Sequence, residues 1–331
     1  MPKHLKAFAR RQEFWLAILF VVLFVGLSIA RPNFLSLQNG VDLISSYAYT
    51  GILVSAMLVV LVAGGIDISF AAVATVAQYT AMTVANTWDI GWLGVILIAA
   101  AIGIILGVIN GLLINILGLS AIIVTIATQS VIFGLILTVT KGQDIFSLPE
   151  WFTDGVAIPF HTTPDGYQYF INVQMIGLAI ALALTWFVLN RTNVGRQIYA
   201  MGGNVEAARR IGYNVFRLNL FVYGYMGLAA GLASIVHAQY NMSVSPTALV
   251  GRELDVIAAA FLGGASATGG SGTILGVVLG IALVAVVQNG LTLLGVSSYW
   301  SQFFTGIIIV VAVASMARDV RRRWYDNPGA A

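Results

Sequence analysis

Asp67 is the residue whose placement carries the most chemistry in this chain. It sits in Gly64-Gly65-Ile66-Asp67-Ile68-Ser69, between a stretch from Val41 to Ala63 with one acid at its edge (Asp42) and a stretch from Phe70 to Val84 with no charge. A carboxylate at membrane depth costs roughly 2.5–3.5 kcal/mol on insertion scales, so such a group usually serves a polar pathway. The paired glycines let two helix ends meet there. At that depth, a break is tolerated only where protein or a water-filled cavity covers the freed backbone. A second role is open to the same side chain, accepting amide hydrogens at the start of the next helix near the cytoplasmic surface. Ser69, Asn110, Gln129 and Asn289 also lie in or beside apolar stretches and can offer donors and acceptors to a passing solute; Asn115 and Gln288 accompany them. Neutral amides of this kind also join membrane helices, at about 0.6 kcal/mol per interhelical hydrogen bond. His237, near the end of its apolar stretch, reads as an interfacial anchor.

Bond-making chemistry finds no support. There are no cysteines, and His4, His161 and His237 are far apart, so neither a thiol nor a histidine metal cluster is expected. The only lysines are Lys3, Lys6 and Lys141, and none follows the glycine pattern of a phosphate loop. The glycine-rich run from Gly263 to Gly272 lacks a lysine too and reads as a tight cytoplasmic turn.

The elements that must position these residues are set by composition. Of 331 residues, 59% are hydrophobic and only 9% charged, with a mean hydropathy of +0.92. Soluble domains carry about 25% charged residues. The expected fold is an all-α polytopic helical bundle of about ten transmembrane segments: 14–30, 41–63, 67–86, 92–117, 119–140, 171–189, 217–239, 254–262, 273–294 and 300–317. The first follows a basic stretch and ends in Ser28-Ile29-Ala30, like a signal peptide. Its length suits a retained helix better, since signal cores usually run about 7–15 residues. The eighth is too short to cross alone and reads as a half-helix or re-entrant segment.

Charge sets the orientation, because cytoplasmic flanks concentrate Lys and Arg. With ten crossings and both termini cytoplasmic, thirteen of the sixteen cations fall inside. The single domain 1–331 then divides into a cytoplasmic N-terminus (1–13), an outer loop (141–170), a cytoplasmic loop (190–216) and a cytoplasmic tail (318–331). The outer loop carries Asp144, Glu150, Asp154 and Asp165 against Lys141, and Pro149, Pro159 and Pro164 break it. It reads either as a docking surface for a soluble partner or as an ordinary solvated loop.

Within the cytoplasmic loop, every local signal marks a two-turn helix over 205–211. Asn204 is a good N-cap, Glu206 and the pair Arg209 and Arg210 complement the helix dipole, and Gly212 suits the left-handed position past the end. A helix this short is unstable alone in water, so something must hold it. The small pair Ala207-Ala208 permits close approach of a protein surface.

Glu206-Ala207-Ala208 followed by Gly212 resembles the "EAA-like" cytoplasmic loop of ABC importer permeases. Four stretches are similar to the sugar-type branch (ribose, xylose, arabinose, galactose and autoinducer-2 permeases): GGIDIS at 64–69, GVINGLLINILGLSAIIVTIAT at 107–128, GRQIYAMGGNVEAARRIGYNV at 195–215 and GRELDVIAAAFLGGASATGGSGTILGVVLG at 251–280. One departure is Phe70-Ala71, where that branch usually has Val-Gly after the serine.

The resemblance implies a permease subunit of an ATP-driven importer for a monosaccharide or similar small polyhydroxylated solute, in the bacterial cytoplasmic (inner) membrane. It implies a second permease chain (homodimer or close paralogue), two ATP-binding cassette subunits that bind ATP and Mg, and a periplasmic or lipid-anchored sugar-binding protein. Gly203, Asn204, Glu206, Ala207, Ala208, Arg209 and Gly212 become the ATPase-coupling set. No cofactor, metal or nucleic acid is expected in this chain. The alternatives are a branched-chain amino-acid or nucleoside ABC permease and, from another class, an ion-coupled secondary transporter. The latter is expected to show several intramembrane carboxylates or histidines, and here only Asp67, Asp42 and Asp255 qualify.

Overall fold

The computed structural model describes residues 12–164 and 166–297, with positions 300, 303, 306, 307 and 310 beyond them. The basic residues from Lys3 to Arg11, Asp165, most of the segment expected at 300–317 and the tail at 318–331 lie outside the described residues. The described chain forms α1 (Gln12–Ala30), α2 (Leu37–Val62), α3 (Phe70–Thr87), α4 (Gly91–Leu117), α5 (Ala121–Thr140), α6 (Glu150–Asp154), α7 (Val173–Arg191), α8 (Asn193–Gly203), α9 (Val205–Arg210), α10 (Val215–Asn241), α11 (Glu253–Leu262) and α12 (Ile274–Leu293).

Seven of these helices are long and apolar enough to cross a membrane: α1, α2, α4, α5, α7, α10 and α12. The difference from ten has identifiable sources. Helix α3 has 18 residues, but Gln78, Asn86 and its threonines dilute its hydropathy. Helix α11 has ten residues, about 15 Å of rise, roughly half a hydrocarbon core. The tenth segment falls mostly outside the described residues.

Helices α2 and α10 form the interior, with 72% and 78% of their most apolar windows buried, whereas α1 buries 6%. In water the exposed apolar face of α1 would be untenable; in lipid it is the expected solvent contact. Helices α4 and α10 approach each other at backbone distance. Gly103 and Gly107 meet Gly227 and Gly231 so tightly that a Cβ on Gly227 would lie 2.0 Å from the Gly103 carbonyl oxygen. Spacing small residues four apart on facing helices permits this backbone contact.

The all-α expectation needs one correction. The segment expected as the outer loop, 141–170, leads into an antiparallel hairpin, β1 (Ala157–Thr162) and β2 (Gln168–Asn172), and α6 precedes it. Both strands are rich in aromatic and β-branched residues. The register is irregular between Pro159 and His161, as suits a proline that cannot donate to a ladder. The loop is also anchored. Phe152 is fully buried and stacks on Trp92 at 4.8 Å between ring centroids. Ile145 and Val244 exchange backbone hydrogen bonds of 2.8 and 2.9 Å.

Candidate functional site

The helix expected at 205–211 is present as α9, one residue shorter. The Asn204 side chain accepts from the Ala207 amide at 2.9 Å, and Gly212 adopts φ +89°. Glu206 and Arg209 pair at 3.1 Å, with 69% and 59% of their side chains exposed. Such an exposed pair is worth only about 0–1 kcal/mol, so it is not what holds the helix. Ala208 does: it is buried in the core cluster, and its carbonyl accepts from the Tyr213 amide at 3.0 Å. Of the alanine pair, therefore, only Ala207 faces outward. Val205 and Ile211 are exposed beside it, which leaves a small apolar surface flanked by charge.

Helix α9 stands on a junction of three glycine pairs. Helix α2 ends at Gly64-Gly65, α8 ends at Gly202-Gly203, and the turn between α11 and α12 contributes Gly269-Gly270. A Cβ on Gly202 would fall 1.8 Å from the Val62 carbonyl oxygen and 2.7 Å from the Gly270 amide nitrogen. Gly269 lies so close that its Cβ would sit 2.5 Å from the Gly202 oxygen and 2.8 Å from the Gly64 Cα. The Gly270 amide donates to the Val62 carbonyl at 2.9 Å. Tyr199 of α8 donates its hydroxyl to the Gly272 carbonyl at 2.7 Å, and its burial pushes the phenol pKa up, keeping it a neutral donor. Helices α2 and α11 end alike: Gly65 donates to Val60 and Ala265 to Ala260, five residues back, with Gly64 and Gly264 at positive φ. This is the helix-ending pattern that glycine makes inexpensive.

Asp67 lies just beyond the junction, in the extended stretch before α3. It is 2% exposed. Its Oδ1 accepts from the Ser69 amide at 2.8 Å and the Ser69 hydroxyl at 2.7 Å, while Asn110 Nδ2 donates to Ser69 Oγ at 2.7 Å. Thr125 adds a bond from the Ile68 amide at 3.1 Å. Asp67, Ser69 and Asn110 thus form one buried network holding the α2–α3 break against α4 and α5. Phe70, the departure noted above, is buried beside it. Gln129 and Asn289 are elsewhere. Gln129 donates to Glu253 at the start of α11, and Asn289 exchanges two amide bonds with Asn39, at 2.9 and 3.2 Å.

Residues 39–313 match the family described as branched-chain amino acid transport system / permease component. The chain belongs to that family. Among curated relatives, the ribose import permease protein RbsC of Bacillus subtilis (strain 168) is 36% identical, covering 89% of each chain. RbsC of Escherichia coli (strain K12) is 31% identical over 93% of this chain and 94% of its own. The L-arabinose transport system permease protein AraH of the same strain is 33% identical over 94% and 93%. No solved structure matches.

Two features of the permease escape a reading of its sequence. His237 is not an interfacial anchor: it is 8% exposed, its ring lies 4.9 Å from Tyr49, and Nδ1 is 3.4 Å from Gln78 Oε1. Gln78, a lone amide in the first half of α3, was the available signal for a polar interior there. The glycine junction gave no signal, since each pair alone looks like an ordinary turn.

Proposed function

We propose that this permease is the translocation subunit of an ATP-driven importer for a monosaccharide or similar small polyhydroxylated solute. The observation that carries the reading is α9, an exposed, capped helix anchored by the buried Ala208 and joined through Asn204 to Gly202-Gly203, which meet α2 and the α11–α12 turn. A push on α9 reaches the α2–α3 break through backbone contact, with no flexible side chain between. The coupling set is Gly203, Asn204, Glu206, Ala207, Arg209 and Gly212 on the partner side, with Ala208 as the seat. Two ATP-binding cassette subunits grip these helices from the cytoplasm and bind ATP and Mg. A second permease chain completes the conduit, and a periplasmic or lipid-anchored binding protein delivers the solute. About ten crossings, with both termini and 190–216 cytoplasmic and 141–170 outside, agree with the distribution of cations. Asp67, Ser69 and Asn110 brace the inner break of the pathway; the Gln129–Glu253 and Asn39–Asn289 pairs hold the helices that must shift as it opens.

The sugar class is supported by relatives named for ribose and arabinose that align over about nine-tenths of both chains. The family description is the observation favouring a second reading, a branched-chain amino-acid permease. The test of coupling is Glu206→Lys with Ala207→Asp. Both side chains point outward, so insertion is retained, while reversed charge in the grip releases the ATPase. A double variant that co-purifies with a full ATPase complement defeats the proposal.

A further inference from the structure

A polar pocket of about 240 Å3 lies far from the coupling helix, and of the amides singled out in the sequence only Gln288 lines it. Tyr47 and Tyr49 of α2, His237 and Tyr240 at the end of α10, and Arg252 and Asp255 at the start of α11 form its walls. Gln288 of α12 closes one side. His237 lies about 33 Å along α10 from Val215, the residue that follows the coupling loop. The pocket therefore opens toward the opposite side of the permease. It is smaller than the ~300–1,000 Å3 of sites for drug-sized ligands, as suits one small solute.

Its chemistry selects among solutes. The Tyr49 and His237 rings are held edge to face, 74° between planes, so the aromatic wall is rigid. Aromatic faces cover the C–H face of a sugar ring, and hydroxyls need donors and acceptors around its rim. Among the described residues, the bonded tyrosine hydroxyls are those of Tyr79, Tyr199 and Tyr225; those of Tyr47, Tyr49 and Tyr240 keep their capacity for a ligand. Arg252 and Asp255 pair with each other at 3.6 Å, which cancels their charge yet uses only part of the five-donor guanidinium fork. A zwitterion would need the two charges presented separately, and a branched aliphatic side chain would need an apolar wall. Val284 is the single aliphatic residue in the lining. We infer that this pocket is the outward-side contact site for a neutral sugar on its way from the binding protein into the conduit.

The inference rests on the importer reading above, and the experiment separates the two. The permease is reconstituted in proteoliposomes with its ATPase and binding protein, with D-ribose, L-arabinose and L-leucine as probes. Because the chain has no cysteine, Tyr240→Cys gives a single thiol for a membrane-impermeant maleimide added outside. Whichever sugar the wild-type complex imports slows that labelling several-fold, L-leucine does not, and labelling of Asp154→Cys in the outer loop is unaffected. Tyr240→Phe and Arg252→Gln each lower uptake of that sugar about tenfold, as loss of a ligand hydrogen bond predicts, while co-purification with the ATPase is kept. Labelling indifferent to an imported sugar, or variants that import it as wild type does, overturns the pocket and leaves the importer reading standing. A wild-type complex that imports L-leucine and neither sugar overturns both.

Discussion

Replacing Gly202 by alanine tests whether the glycine junction transmits force. The new Cβ would lie 1.8 Å from the Val62 oxygen and 2.7 Å from the Gly270 nitrogen, against the 3.0 Å below which real Cβ atoms are essentially never found. All the obstructing atoms are backbone, so no side chain can swing aside. Helix α8 must withdraw from the end of α2, and the 2.9 Å bond from Gly270 to Val62 lengthens or breaks. Overpacking costs about 1–3 kcal/mol and the hydrogen bond about 0.5–1.5 kcal/mol. Alanine regains about 0.5–1 kcal/mol of helix propensity, leaving a net loss of about 0.5–4 kcal/mol. Gly203 is the neighbouring comparison: nothing lies within 4 Å of its Cβ position, so Gly203→Ala holds or slightly raises stability. Thermal unfolding in nanodiscs, followed by tryptophan fluorescence, measures both. In the reconstituted complex, Gly202→Ala also lowers the solute imported per ATP hydrolysed. If Gly202→Ala melts with Gly203→Ala and couples as wild type does, the junction is not a tight mechanical contact and the reasoning fails.

Further outcomes follow from the same geometry. Gly227→Ala places a Cβ 2.0 Å from the Gly103 oxygen and costs about 1–3 kcal/mol, whereas Gly134→Ala, in open space, is neutral in the same thermal scan. Asp67→Ala strips both bonds from Ser69 and costs about 1–3 kcal/mol for the buried donor left unpaired. Asp67→Asn keeps an acceptor oxygen and most of the stability; wild-type uptake in that variant assigns Asp67 to the hinge alone. Tyr199→Phe removes the bond to Gly272 and lowers stability by about 0.5–1.5 kcal/mol. Single cysteines from Asp154→Cys and Arg210→Cys label from opposite sides of the membrane; labelling from one side rejects the topology.

The parts of the molecule readable from sequence are those written in local physics. Helix α9 was legible because an Asn cap, a first-turn acid, last-turn cations and a terminating glycine lie within nine residues, and each acts on its own neighbours. The long helices were legible from hydropathy. Their number was less so, because α3 trades hydropathy for threonines and amides that its buried position satisfies, and α11 stops after ten residues at Gly263-Gly264. The amides at 110, 129 and 289 were recognisable as polar groups needing partners, yet their partners Ser69, Glu253 and Asn39 lie 41, 124 and 250 positions away.

Sequence alone determined that this chain lives in lipid, that it carries a short capped helix between two apolar stretches, and that Asp67 sits at a break between helices. Only the tertiary structure decided which side of that short helix is free, that Ala208 faces inward, that glycines near 64, 202 and 269 meet backbone to backbone, and that His237 is interior. The physical reason lies in range. Helix dipoles, caps and hydropathy act over one or two turns and leave their mark in neighbouring residues. Contact between glycines has no side chain to announce it, and a polar pocket assembled from four helices exists only once those helices have packed.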